Sequence, residues 1–215
     1  MASTVLNEAQ MSILRLLGSM KTVEEVDELR QVICDYYARR VDEEVDKLWE
    51  SGQWDNEKNE AVLKEHFALH TSMPSRKIVL DTNCLISSLS RRGQYYPVWK
   101  GLQAGEYVLC VSTEILEEYA EIITQKMSVE VAANVIHLLL ESKFVELIDP
   151  YFRLHLIEAD HDDNKFVDCA FAANATYIVS DDKHYDVLKE VDFPQILVLK
   201  LKEFLGLLQS DENRE

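Results

Sequence analysis

Two spacings of apolar residues divide the chain. Over residues 1–70 they recur every three or four positions, as on helices; from Lys77 onward they come in short runs separated by helical stretches. In the first part, Asn7 to Gln10 has the spacing of a helix cap ahead of Ile13, Leu14 and Leu17. Thr22 to Glu25 reads as a capping box. Val23, Val26, Leu29, Ile33, Tyr36 and Tyr37 then recur at helical spacing, and Val41, Val45, Leu48 and Trp49 continue the stripe. Ser51-Gly52 stops it, and a third helix is expected from Asn56 to about Leu69. Three helices of this size make a poor core by themselves. Their stripe is therefore expected to pack against the rest of the protein or against a second copy.

A polar seam, His70-Thr71-Ser72-Met73-Pro74-Ser75-Arg76, follows, and residues 71–76 read as a linker. Beyond it strands and helices alternate. Strands are expected at Ile78–Leu80, Tyr107–Val111, Val145–Ile148, Tyr177–Val179 and Ile196–Leu199. Helices are expected at Cys84–Ser90, Pro97–Gln103, Thr113–Lys126, Val129–Ser142, Lys165–Asn174, His184–Glu190 and Leu201–Leu208, with a polar tail over 209–215. Such alternation predicts an α/β domain over 77–208, a parallel sheet covered by helices on both faces.

Composition narrows the classes. With 215 residues, 47% apolar, and only 6 Gly and 4 Pro, the chain has material for a core and little for disorder. No apolar run approaches the ~20 residues that span a bilayer. No basic start followed by an apolar block is present, so no signal peptide is expected, and a cytoplasmic location is. Cys34, Cys84, Cys110 and Cys169 form no C-x-x-C pair, which speaks for buried thiols over a zinc site. Net charge is −17, and the first 72 residues carry 8 Lys and Arg against 15 Asp and Glu. That balance opposes broad, non-specific nucleic-acid binding, yet metal-binding carboxylates are themselves acidic.

The acids fall in a pattern. Asp81 follows the run Ile78-Val79-Leu80, at the carboxyl end of a strand, where α/β sheets bind ligands. Alone it reads as a helix cap. Glu118 shares its helix side with Ile115 and Ile122, and a carboxylate in line with a buried stripe is costly unless paired or bound to a cation. Glu114, Glu117 and Glu121 read as a solvated face. Asp160-His161-Asp162-Asp163-Asn164 opens the next helix; as a calcium loop it fails, because Lys165 stands at the glycine position and Phe171 at the terminal glutamate. Asp168 lies one turn further on. Ser180-Asp181-Asp182 ends the strand Tyr177–Val179. Four acidic groups at one sheet edge repel and raise one another's pKa. A divalent cation resolves that repulsion, and all-carboxylate ligation suggests Mg²⁺ or Mn²⁺.

These residues resemble the PIN domain, a metal-dependent ribonuclease fold with a Rossmann-like three-layer architecture. The matching stretches are Val79-Leu80-Asp81-Thr82-Asn83, Ser112 to Tyr119, Asp163 to Ala170, and Ile178 to Asp182. The nearest subgroup is the PIN toxins of bacterial toxin–antitoxin pairs. The resemblance implies that Asp81, Glu118, Asp163 and Asp182 hold the metal, with Asp181 a further candidate ligand and Asn83 and Ser180 as supporting groups. It implies hydrolysis of an RNA phosphodiester. Arg91, Arg92 and Lys183 are candidates to touch the RNA backbone. The helical segment loosely resembles the antitoxins encoded beside such toxins. As a partner in cis or from a second copy, in a homodimer, it is expected to restrain the nuclease, with Arg39, Arg40 or Lys64 entering the acidic pocket. Two other readings compete. A haloacid-dehalogenase-like phosphatase would want an Asp where Asn83 stands. A catalytically silent PIN-like scaffold would bind partners without cutting.

Overall fold

The computed structural model describes residues 22–63 and 76–212 together with Ile13, Leu17 and Met20. The cap expected at Asn7 to Gln10, the third helix beyond Leu63, Lys64, Met73 with the rest of 71–75, and residues 213–215 lie outside the described residues.

Five short strands form the sheet: β1 (Lys77–Leu80), β2 (Val108–Val111), β3 (Val145–Leu147), β4 (Tyr177–Val179) and β5 (Leu197–Leu199). All pair in parallel, in the order β3-β2-β1-β4-β5. Helices cover them because parallel strands bury both faces, and Ile78, Val79, Leu109, Val111, Ile178 and Val179 are fully buried. The chain leaves β1 in one direction towards β2 and β3 and returns to β4 and β5 on the other side. The strand order thus reverses between β1 and β4, which opens a crevice beyond their carboxyl ends.

Capping side chains set the helices around that crevice. The α3 helix (Thr82–Ser88) starts at Asp81, α5 (Thr113–Lys126) at Ser112, and α6 (Val129–Glu141) at Ser128, each cap accepting a backbone N–H two or three residues on. Between α3 and β2 runs α4 (Tyr96–Ala104). The α7 helix (Asn164–Ala173) starts at Asp163, whose side chain makes no capping hydrogen bond. A 3-10 helix, Lys183–Glu190, follows β4, and its first N–H groups are capped by Asp182. The last helix, α8, runs Leu201–Glu212, so the polar tail expected from residue 209 is helical through 212.

Ahead of the sheet, α1 (Val23–Glu50) opens with the expected capping box and α2 (Asn56–Leu63) follows. The α1 helix lies along α6, where the Tyr37 ring stacks on His137 at 4.8 Å, and α2 lies along α3. Its buried seam differs from the expected stripe. Cys34, Ala38, Val41, Val45 and Leu48 are buried, a three–four repeat that begins only at Cys34 and runs to the end of the helix. Val23 and Tyr36 are 73% and 46% exposed. The stripe read from sequence was wide because it merged two faces, of which one is packed. No helix among the described residues is long and apolar enough to cross a membrane.

Candidate active site

Asp81 sits at the bottom of the crevice, 7% exposed. One carboxylate oxygen accepts the Asn83 backbone N–H at 2.7 Å, and the other accepts the Ser180 hydroxyl, also at 2.7 Å. Burial, with the nearby carboxylates of Asp163 and Glu118, pushes its pKa up to about 7 in spite of those two donors. Ser180 also accepts the Asp182 N–H at 3.0 Å, so one hydroxyl ties the ends of β1 and β4 together.

From α5 comes Glu118, half-buried. Its Oε1 accepts the Thr82 hydroxyl at 2.5 Å, and its Oε2 lies 2.6 Å from Lys165 Nζ. The neighbouring Glu117 is exposed, so of the two adjacent acids it is Glu118 that points inward. Asp163, freed from capping, accepts the Tyr185 hydroxyl at 3.2 Å and stands 3.1 Å from His184 Nδ1. Burial pushes its pKa up to about 6, with Asp182 and Asp160 adding to the rise. His184 Nδ1 also lies 3.3 Å from Asp182 Oδ1, so it bridges the third and fourth acids. Asp160, Asp163 and His184 bring ligand atoms within 4.8 Å of one another. Asp81, Glu118, Asp163 and Asp182 therefore belong to one hydrogen-bonded and electrostatically coupled group.

Other expected site residues lie elsewhere. The Asp181 carboxylate accepts the Leu201 N–H at 3.4 Å, at the start of α8, where Lys200 and Glu203 are its charged neighbours. The Asn83 side chain accepts from Lys126 Nζ at 2.7 Å; it is the Asn83 backbone that serves Asp81. Lys183 is exposed. Arg91 and Arg92 are not at the acidic edge, because α3 carries them a helix length of ~10 Å beyond Asp81. There Arg91 pairs with Asp42 at 2.5 Å, and Arg92 lies 3.5 Å from Glu50, both on α1. Arg39 and Arg40 stay on their own helix, donating to the Asp35 carbonyl and the Tyr36 hydroxyl. Lys64 lies outside the described residues.

An open cleft of about 870 Å³ runs beside the site, between α5 and the loop before α7. Glu118, Asp163 and Lys165 line it; Asp81 and Asp182 do not, and neither does any described residue of α1 or α2. The loop is pinned from within. Asn164 exchanges hydrogen bonds with both backbone groups of Ile157, at 3.0 and 2.7 Å. Asp168, 2% exposed, accepts the Leu154 N–H at 2.9 Å. Glu114 is exposed, as expected of a solvated face, and there holds Arg153 through two oxygens at 2.8 and 2.6 Å.

Thr82, Lys165, His184 and Tyr185 enter the site although the sequence did not single them out. Lys165 carried a legible signal. It stands in the first turn of α7, where the helix dipole disfavours a cation, and so it needs an anion across the crevice. Thr82 and Tyr185 carried none, since hydroxyls adjoining an acid are common.

Comparison with known families bears on the fold. A family model described as a PIN domain matches residues 77–184, half of the chain. The chain belongs to the PIN domain family. Residues 1–68 match a family of unknown function (DUF8507). No curated protein and no solved structure matches the chain. PIN domains are in general nucleases that use divalent metal ions. The donor set of this PIN domain suits such an ion. It offers hard carboxylate oxygens from three helix starts and one helix face; burial first, and neighbouring carboxylates second, push Asp81 and Asp163 upward, and positive charge offsets both costs.

Proposed function

We propose that this PIN domain is a Mg²⁺- or Mn²⁺-dependent endoribonuclease. The observation that carries the reading is the coupling of Asp81, Glu118, Asp163 and Asp182 at the β1/β4 switch point, with Asp81 and Asp163 pushed up to about 7 and about 6. Asp81, Glu118, Asp163 and Asp182 would hold the ion. When bound, it supplies positive charge to the phosphate and acidifies the attacking water. The chain's own groups fix the geometry. Ser180 and the Asn83 N–H orient Asp81, Thr82 orients Glu118, and Tyr185 and His184 orient Asp163. These outer contacts leave each acid with lone pairs to spare. Four free, buried cysteines fit a reducing, cytoplasmic setting.

The test is cleavage of a single-stranded RNA by the full chain with Mn²⁺ and with chelator. Cleavage that needs Mn²⁺ and is lost in Asp81→Asn supports the reading. Turnover of a phosphomonoester in its place would mean a phosphatase, and Mn²⁺ binding without cleavage would mean a silent scaffold.

That the domain is the toxin of a toxin–antitoxin pair is the narrower proposal. The order of the segments supports it: acidic helices first, nuclease fold second. The described contacts shape how the helices would act, since they brace α3 and α6 and do not line the cleft. Growth arrest on expression of the full chain, absent with Asp81→Asn, is the corresponding test.

A further inference from the structure

Lys165 is out of place for a surface lysine. Its side chain is 17% exposed, and its ammonium lies 5.8 Å from the centre of the Phe166 ring. It stands in the first turn of α7, two residues after Asp163, against the helix dipole. Its charge is spent mainly inside the pocket, 2.6 Å from Glu118 Oε2, with the exposed Asp162 carboxylate further off at 4.0 Å. The other cations along the cleft are committed differently. Arg153 is gripped by Glu114 through both oxygens and faces Asp168 at 3.5 Å. Away from the cleft, Arg91 and Arg92 face α1.

We propose that Lys165 is the phosphate-binding residue of this site. The inference rests on the nuclease reading of the pocket. A divalent ion that takes Glu118 repels the ammonium from the same oxygens, because two cations cannot share one carboxylate cheaply. The Lys165 side chain is largely buried and its ammonium already stands over the Phe166 ring, which keeps the freed charge at the pocket. The anion then offered to it is a non-bridging oxygen of the bound strand's phosphate, for which a lysine acts as a mobile point charge. Lys165 thus exchanges an internal carboxylate for a backbone phosphate of the substrate. A chain with net charge −17 gains a local cation where the strand must approach.

The experiment uses the full chain as wild type, Lys165→Met, Lys165→Arg and Lys100→Met, the last removing a surface charge outside the site. Two readouts avoid turnover. Calorimetric titration with Mn²⁺ alone is expected to show several-fold tighter binding in Lys165→Met, since no ammonium competes for Glu118. Unchanged or weaker binding would overturn the exchange. Binding of a fluorescent single-stranded RNA is then followed by anisotropy against salt, with Ca²⁺ in place of Mn²⁺. Loss of one phosphate contact is expected to make the slope of log K against log[salt] shallower by ~0.7 in Lys165→Met. Lys165→Arg and Lys100→Met are expected to keep the wild-type slope. A wild-type slope in Lys165→Met would refute the phosphate contact. A wild type that binds RNA but does not cleave it in Mn²⁺ would defeat the nuclease reading while the slope still judges Lys165. A wild type that binds no RNA would defeat both.

Discussion

The Ser180 hydroxyl donates to Asp81 Oδ2 at 2.7 Å across the seam between β1 and β4. Fully buried, Ser180 stabilises the ionised form of an acid that burial otherwise keeps protonated. Ser180→Ala removes that donor and leaves the Asp182 N–H without its acceptor. Asp81 will then hold its proton more firmly, above its present value of about 7. Mn²⁺ must displace that proton, so the variant is expected to bind Mn²⁺ on the order of tenfold more weakly at pH 7. The deficit should shrink at pH 8.5, where Asp81 is ionised in both proteins. Calorimetric titrations at the two pH values check this; an equal deficit at both would mean that the hydroxyl acts on geometry alone.

The metal-free protein is expected to lose stability as pH rises from about 4 to about 7. Asp81 moves from 3.8 to about 7 on folding, and Asp163 and Asp181 from 3.8 to about 6. Raised folded-state values mean that the native state binds more protons than the unfolded chain across this window, so the slope of stability against pH is negative. The penalty begins above the unfolded value near 4 and is complete above about 7. Asp81→Asn removes its largest share and should stabilise the metal-free protein by ~2–4 kcal/mol at pH 8, with little effect at pH 4. Urea denaturation in chelator at pH 4.5, 6 and 8 reads both outcomes. Stability rising across the window would contradict the assignment of Asp81 as the buried acid.

Glu117 and Glu118 are adjacent in sequence and opposite in environment. Glu118 meets Thr82 and Lys165, whereas Glu117 is exposed on the cleft wall. Glu118→Gln is expected to lower kcat/KM for RNA by at least ~100-fold, and Glu117→Gln to leave it within about twofold. Comparable losses in both would mean that the α5 helix turns in the loaded enzyme.

What the sequence made legible follows from what each signal depends on. The strands and α5 could be placed because buried parallel strands are apolar runs and because Ser112 caps a strongly periodic helix. Asp81 and Asp182 were legible because they end strands, and Glu118 because it interrupts a buried face. Asp163 is the informative case. As a helix-start acid it looked like a cap, but it does not cap, and only the approach of His184 and Tyr185 shows why. Asp181 was misleading for the converse reason, since its true partner, the Leu201 N–H, lies 20 residues downstream. Arg91 and Arg92 were misplaced because distance along a helix was not counted: neighbours of the site in sequence, they sit a helix length from it in space. The α1 seam was read one face too wide because hydrophobicity does not record which half of a helix meets a partner.

The clamp between α1 and the segment joining α3 to α4 gives the last prediction. Asp42 is 5% exposed on α1; it pairs with Arg91 at 2.5 Å and accepts the Tyr96 hydroxyl at 2.9 Å. Asp42→Ala leaves the Arg91 guanidinium only the more distant Asp46 carboxylate, 3.7 Å away, and is expected to cost ~1–3 kcal/mol, less than a fully buried pair because Arg91 reaches solvent. Cleavage per folded molecule should not change, since no described residue of α1 or α2 lines the cleft. Denaturant midpoints and kcat/KM, measured on the same preparation, separate the two effects. A rise in kcat/KM that tracks the loss of stability would mean that the helices restrain the nuclease through this clamp. Loss of stability alone makes them a brace, and a chain starting at Met73 would then bare the α6 face on which α1 lies and aggregate without becoming more active.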